Sequence, residues 1–267
     1  MNKKIIYDFG SNNGDDIPYY LLKSDLVVAV EANPLLCEQI SNRFASEIEL
    51  GKLVIENCVI TAEDSKQVSF YISNKHNVLS QFPKPSTEEL CHFSEVILPS
   101  KNAAQIINEH GAPYYIKIDI EHYDAEILRA LSKGNIFPPF ISAESHSIDV
   151  FCTLVNMGYR AFKLVDGLTV SEVYANRSIP SAKGRKYSFP HHSAGPFGND
   201  VDGNWMTADN FFRLLAFEGL GWKDIHASLH ELPDPSISPS LQEKCKRETI
   251  KKIKRSYQRI FRLIKFA

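Results

Sequence analysis

The sequence has no apolar run long enough to cross a bilayer, and its five cysteines, Cys37, Cys58, Cys91, Cys152 and Cys245, show no paired spacing. It also lacks a signal-peptide core: Met1-Asn2-Lys3-Lys4 runs straight into a strand-like stretch, so a reducing cytoplasm is the expected compartment. Net charge is nearly absent as well, at -2, but the balance conceals an asymmetry. From Leu241 to Ala267 ten Lys or Arg face only Glu243 and Glu248, a local +8, which leaves -10 for the first 240 residues. With 267 residues and 43% apolar content, the chain can bury one substantial core and carry an appendage. Residues 1–232 are the expected main domain, and 233–267 a proline-bearing linker followed by a basic helix.

The chain is organised around Ile5-Ile6-Tyr7-Asp8-Phe9-Gly10-Ser11-Asn12-Asn13-Gly14. Consecutive apolar residues fit a strand covered on both faces, and the small residues after it fit a turn whose backbone approaches a ligand. Asp8, Gly10 and Gly14 stand at offsets 0, 2 and 6, nearly the glycine fingerprint of nucleotide-binding βαβ units, with Asn12 in place of the middle glycine. Seventeen positions after Gly14, the run Leu26-Val27-Val28-Ala29-Val30 ends in Glu31. An acid at the tip of the second strand can accept from both hydroxyls of a ribose, so the two stretches together predict a nucleoside site.

Further strands are expected at 53–60, 67–72, 114–121, 140–146 and 159–165, alternating with helices at 15–23, 34–44, 103–110, 125–131 and 149–157. The alternation predicts an α/β fold, a doubly wound and mostly parallel sheet with helices on both faces. Residues 73–94 are polar and aperiodic, an active-site loop or a plain surface loop, and the Gly-, Pro- and His-rich stretch 166–204 is expected to be a lid or disordered. A helix over 208–217 and an edge strand over 222–227 complete the domain. Asp119, Glu121, Glu144 and His146 close strands and should open onto the same crevice as Asp8 and Glu31.

Three stretches, Asp8-Phe9-Gly10-Ser11-Asn12-Asn13-Gly14, Val30-Glu31-Ala32-Asn33-Pro34 and Lys117-Ile118-Asp119-Ile120-Glu121, in that order and spacing, resemble the FkbM-type S-adenosylmethionine-dependent methyltransferases of the Rossmann-like class I fold. The resemblance covers roughly residues 5 to 165 and differs in having His122 and Asp124 where the family pattern usually has glycine and then glutamate. It implies S-adenosylmethionine as cofactor, with the backbone of Gly10, Ser11, Asn12, Asn13 and Gly14 beneath its amino acid and ribose, and Asp8 at the same site orienting the turn or a bound water. Glu31 and Ala32 would hold the ribose, and Asn57, Cys58 and Val59 the adenine. It implies a sugar, glycan or secondary metabolite as acceptor, methylated at a free hydroxyl.

Methyl transfer to oxygen needs alignment of donor and acceptor, exclusion of water and a base for the hydroxyl proton. Glu121 leads as base by resemblance, with His146 second and Asp119 beside them; each can equally be a buried hydrogen-bonding side chain. No metal is expected, since Asp119, Glu121, Glu144, His146, His191 and His192 show no close ligand spacing, and His191 and His192 read as surface residues. Cys58 has no neighbouring base or charge to make it a nucleophile. Two rival functions share these features: a NAD-type dehydrogenase, disfavoured by Asn12 and by Asp119 to Glu121, and a binding module of the same fold without turnover. In the tail, Ile250, Ile253, Tyr257, Phe261 and Ile264 recur at helical spacing among the basic residues. Such a helix fits the inner membrane surface, an acidic partner, or the acidic body of its own domain. Nucleic acid is not an expected partner, because the body is acidic.

Overall fold

The computed structural model describes residues 3–75 and 79–237. Its centre is a seven-stranded sheet built from β1 (Ile5–Phe9), β2 (Leu26–Glu31), β3 (Leu53–Asn57), β7 (Pro113–Ile118), β8 (Phe140–Ser145), β9 (Ala161–Asp166) and β12 (Gly221–Ser228), in the order β3-β2-β1-β7-β8-β12-β9. All neighbours run parallel except β12, which is antiparallel to both β8 and β9. β12 was expected at an edge and instead lies inside the sheet, leaving β9 as the edge. An antiparallel strand can slot in there because it returns from a helix rather than through a parallel crossover.

Strand alternation sorts the apolar residues onto two faces. Tyr7, Phe9, Val28, Val30, Ile116 and Ile118 pack on one side with α5 (Asp124–Lys133) and α6 (Ile148–Asn156). Ile6, Val27, Ala29 and Tyr115 pack on the other with α1 (Ile17–Leu21) and α2 (Pro34–Arg43). Local signals place the helix starts: the Asn33 side chain accepts from the Leu35 N–H ahead of Pro34, and Asn102 caps α4 (Ala103–His110) by accepting from Ala104. Thr207 does the same for α8 (Ala208–Glu218).

The stretch expected as one strand over 53–60 divides at Cys58 into β3 and β4 (Val59–Thr61). β4 leaves the main sheet for a three-stranded one with β6 (Phe93–Asn102) and β5 (Gln67–Ser73), in the order β4-β6-β5. β6 carries Pro99 and is for the most part half-buried or exposed, so neither composition nor burial pattern announces it. Residues 166–204 are folded rather than disordered: they form α7 (Val170–Val173) and a hairpin of β10 (Arg177–Ile179) and β11 (Arg185–Tyr187). They are pinned on α1. Asp200 accepts from Tyr19 at 2.9 Å and from Lys23 at 2.6 Å, and the Phe197 ring stacks on Tyr115 at 3.8 Å. The expected basic helix at 241–267 falls outside the described residues, and no described helix is long and apolar enough to cross a membrane.

One polar row runs through this core. Asp8 pairs in register with Lys117, Lys117 with Ser142, Ser142 with His226, and His226 with Lys163, and all five are buried. The Lys117 ammonium donates to the Gly10 carbonyl at 3.0 Å and lies 3.4 Å from Asp8 and 3.2 Å from Asp119. Burial alone disfavours its charge, but Asp8, Asp119, Asp16 and Asp224 outweigh that and hold it well above the ordinary lysine range. Removing the ammonium would leave Asp8 buried without a counter-charge. Lys117→Met is therefore expected to cost about 3–5 kcal/mol of folding stability, read as a fall in the urea midpoint.

Candidate functional site

The crevice opens at the carboxyl ends of β2, β1, β7 and β8, where the strand order reverses direction on either side of β1. At its floor the β1 turn lies hard against the end of β7. A Cβ on Gly10 would sit 1.9 Å from the Asp119 carbonyl oxygen, and Gly10 has φ +83°, so only glycine fits there. Glu31 clamps the next layer: one carboxylate oxygen accepts the Asn12 N–H and the other the Asn33 N–H, each at 2.8 Å. Burial pushes its carboxyl up to about 7 against the pull of those two N–H groups. Each oxygen keeps a further lone pair, and Glu31 faces the cavity, so the pair can still accept from a vicinal diol.

The cavity has a volume of about 460 Å³, within the range of small-molecule sites. The lining includes an apolar group, Leu36, Cys58, Val59 and Ile60 with Ala32. Cys58 and Val59 reach the cavity because the chain breaks between β3 and β4 at that point. Burial pushes the Cys58 thiol up to about 12, which leaves it unreactive. Gly10, Ser11, Asn12 and Asn13 of the β1 turn line the cavity too.

Another part of the lining is acidic. Asp119, Glu121, Glu144 and His146 converge there from the ends of β7 and β8. The His146 Nε2 lies 3.0 Å from Glu144 Oε2 and 3.6 Å from Glu121 Oε2. Burial first, then the Asp119 charge, lifts Glu121 to about 7; burial, then Asp119 and Glu121, lifts Glu144 to about 9. At neutral pH Glu144 holds its proton and Glu121 is poised to exchange one. Behind them Asp124 is 1% exposed with both carboxylate oxygens lacking hydrogen bonds, and burial together with Asp119 pushes it well above the carboxylate range.

The backbone delivering Glu121 is held in a rare conformation. Glu121 and His122 have φ of +45° and +66°, the left-handed region where the family pattern uses glycine at the second position. The His122 ring rests 4.3 Å from His146, centroid to centroid, and burial with the neighbouring His146 lowers its basicity. Strain of this kind at a turn carrying an acid is a mark of positioning.

Of the residues nominated from sequence, Gly10, Ser11, Asn12, Asn13, Glu31, Ala32, Cys58, Val59, Asp119, Glu121 and His146 line the cavity. Asp8, Gly14 and Asn57 stand behind its wall. Asp8 is fully buried against Lys117, the Gly14 Cα packs toward Ile17, Ile40 and Phe44, and the Asn57 amide donates to the Glu31 and Ala32 carbonyls at 3.0 Å each. These three support the wall and are not among the residues that line it. Residues 73–94 do contribute, through Leu79, Ser80 and Phe82, as an active-site loop would. Sequence reasoning passed over Tyr123, Trp222 and a cavity role for His192. It also saw no metal spacing, yet the donor atoms of Glu121, Glu144 and His146 lie within 4.8 Å of one another, an arrangement of oxygen and imidazole that a divalent cation accepts.

With the geometry in hand, comparison with known proteins bears on identity. No curated protein matches the sequence. Among solved structures, methyltransferase FkbM from Methylobacillus flagellatus KT is 14% identical, with a TM-score of 0.41, over 62% of this chain and 40% of its own. This chain thus spans less than half the length of that protein. Precorrin 8w decarboxylase from Methanobacterium thermoautotrophicum is 9% identical, TM-score 0.38, over 85% of this chain and 82% of its own. Spermidine synthase from Thermotoga maritima is 9% identical, TM-score 0.38, over 87% and 55%. The model of the methyltransferase FkbM domain matches residues 8–151, more than half of the chain and all three of the motifs that line the crevice, and on that match the chain belongs to the FkbM methyltransferase family.

Proposed function

We propose that the protein transfers a methyl group from S-adenosylmethionine to a hydroxyl oxygen of a small-molecule or glycan acceptor. The observation that carries this is the division of one cavity into a nucleoside end, with Glu31 and the apolar group, and an end holding Glu121, Glu144 and His146. Bound S-adenosylmethionine supplies an electrophilic methyl carbon on a positively charged sulfur. The chain's own work is then to hold, align and deprotonate. Glu31 accepts from the ribose hydroxyls, and the turn at Gly10 to Asn13 passes under the amino-acid portion. Glu121 removes the acceptor's proton as the oxygen–carbon bond forms and the sulfur–carbon bond breaks to leave S-adenosylhomocysteine, and His146, between Glu121 and Glu144, steadies the exchange. Asp119, paired with Lys117, fixes the floor on which the acceptor rests. A non-catalytic binding module would keep the Glu31 contacts and show no turnover.

A second reading is favoured by the same three donors: a divalent cation on Glu121, Glu144 and His146 would acidify the hydroxyl in place of a free base. Turnover that survives exhaustive chelation supports Glu121 as base, and turnover restored only by added Mg²⁺ or Mn²⁺ supports the cation.

Two outcomes are expected. Glu31→Ala should weaken binding of S-adenosylhomocysteine by about 1.5–3 kcal/mol, roughly 10- to 150-fold in Kd by calorimetry, as charge-assisted hydrogen bonds are lost. Glu121 is protonated below about 7 and ionised above it, so kcat/KM should rise with pH through that value and level off. Glu121→Gln should abolish both the rise and most of the rate; a pH profile unchanged by that substitution removes Glu121 from the role.

A further inference from the structure

Asp15, Asp16 and Asp119 are the aspartates that line the cavity, and two of them have a basic partner. Asp15 pairs with Arg43 at 2.8 Å, and Asp119 with Lys117 at 3.2 Å. Asp16 is different. Among the described residues no lysine, arginine or histidine lies within ion-pair distance of it, and it is only 6% exposed. A buried carboxylate without a counter-cation is costly unless hydrogen bonds or the charge of a ligand compensate it.

The bonds that Asp16 does accept come from a segment outside residues 8–151, the span matched by the family model. Residues 190–198 cross α1 as a strap. The Ser193 hydroxyl donates to Asp16 Oδ1, the Ala194 N–H donates to Oδ2 at 3.1 Å, and the Gly195 N–H donates to the Ser193 oxygen at 2.9 Å. Two further tethers follow: the Tyr19 oxygen accepts from the Phe197 N–H at 3.1 Å, and Lys23 donates to the Phe197 carbonyl at 3.1 Å. Of Asp16, Tyr19 and Lys23, only Asp16 also lines the cavity, and the strap lines it through His192, one residue before Ser193.

Place and charge narrow what Asp16 can receive. It follows Gly14 by two residues, and the strap that it holds meets Trp222 of β12, on the opposite side of β1 from β2 and Glu31. Asp16 therefore stands away from the ribose clamp, next to the turn that passes under the cofactor's amino-acid portion. That portion carries an ammonium, a donor of three hydrogen bonds, and a carboxylate offers about four lone-pair positions, of which the strap takes two. Burial pushes the Asp16 carboxyl above its ordinary range, against the Lys117 charge and the bonds from Ser193 and Ala194. An ammonium beside it offsets the burial, and the ionised carboxylate then accepts more strongly from both strap donors. Ligand and strap stabilise each other through one side chain.

We propose that Asp16 receives the ammonium of the cofactor's amino-acid portion and, through Ser193 and Ala194, couples occupancy of that subsite to closure of the 190–198 strap. The proposal rests on the methyltransferase reading and deepens it. Its test uses the full chain and three ligands: S-adenosylhomocysteine, the same molecule with its amino group replaced by hydrogen, and 5′-methylthioadenosine, which lacks the amino-acid portion. By calorimetry the parent should bind S-adenosylhomocysteine about tenfold more tightly than the deaminated analogue. Asp16→Asn should bring those two within about twofold of each other, while 5′-methylthioadenosine binds parent and variant alike. In hydrogen exchange, S-adenosylhomocysteine should slow residues 190–198 of the parent and 5′-methylthioadenosine should not. Ser193→Ala, which keeps the carboxylate, should retain the preference for the ammonium and lose that slowing. Equal affinity of the parent for S-adenosylhomocysteine and its deaminated analogue overturns the assignment without any variant. So does a preference that survives Asp16→Asn, or slowing that 5′-methylthioadenosine reproduces or Ser193→Ala leaves intact. A parent that binds neither adenosine thioether overturns the methyltransferase reading instead.

Discussion

A single buried ammonium balances the acids under the crevice. Lys117 is the cation nearest to Asp8 and Asp119, and the charges of Asp16 and Asp224 reach it through the same low-dielectric interior. Burying so many carboxyls is costly unless they are paired or protonated: burial lifts Asp8, Asp16 and Asp224 against the opposing charge of Lys117, and it lifts Glu144 and Asp124 as well.

The same ammonium fixes geometry. Its bond to the Gly10 carbonyl ties the β1 turn to β7, and the missing side chain at Gly10 lets Asp119 come to the floor of the crevice. Glu31 ties that turn in turn to β2 through Asn12 and Asn33. This end of the cavity is thus positioned by two polar clamps, each anchored on a buried charged side chain, Lys117 or Glu31. Glu121 is positioned differently, by a backbone in the left-handed region at two successive non-glycine residues.

Much of this was legible from residues near one another in the chain. Glu31 follows an unbroken apolar strand and can only sit at its tip, and the glycine turn after β1 declares itself by composition. Asp119, Glu121, Glu144 and His146 end strands, so the rule for parallel sheets sends them to one side. Features that depend on distant pairing were not legible. Whether Glu121 and His146 touch depends on β7 and β8 being neighbours, and the place of β12 depends on a space between β8 and β9 that no local pattern encodes. Leu79, Phe82 and His192 come from aperiodic segments, where composition says loop and stops. Asp8, Gly14 and Asn57 belong to the same motifs but stand one layer back, behind residues that line the cavity.

The interior position of β12 has a consequence for synthesis. β8 and β9 are made well before it, and until residues 221–228 leave the ribosome each presents an open hydrogen-bonding edge facing the gap. The nascent sheet stays unzipped there, and the pocket lacks its far side. Closure of the sheet and completion of the cavity are therefore one event, and a chain released before residues 221–228 would expose the same margin that a chaperone or another copy's strand can seize.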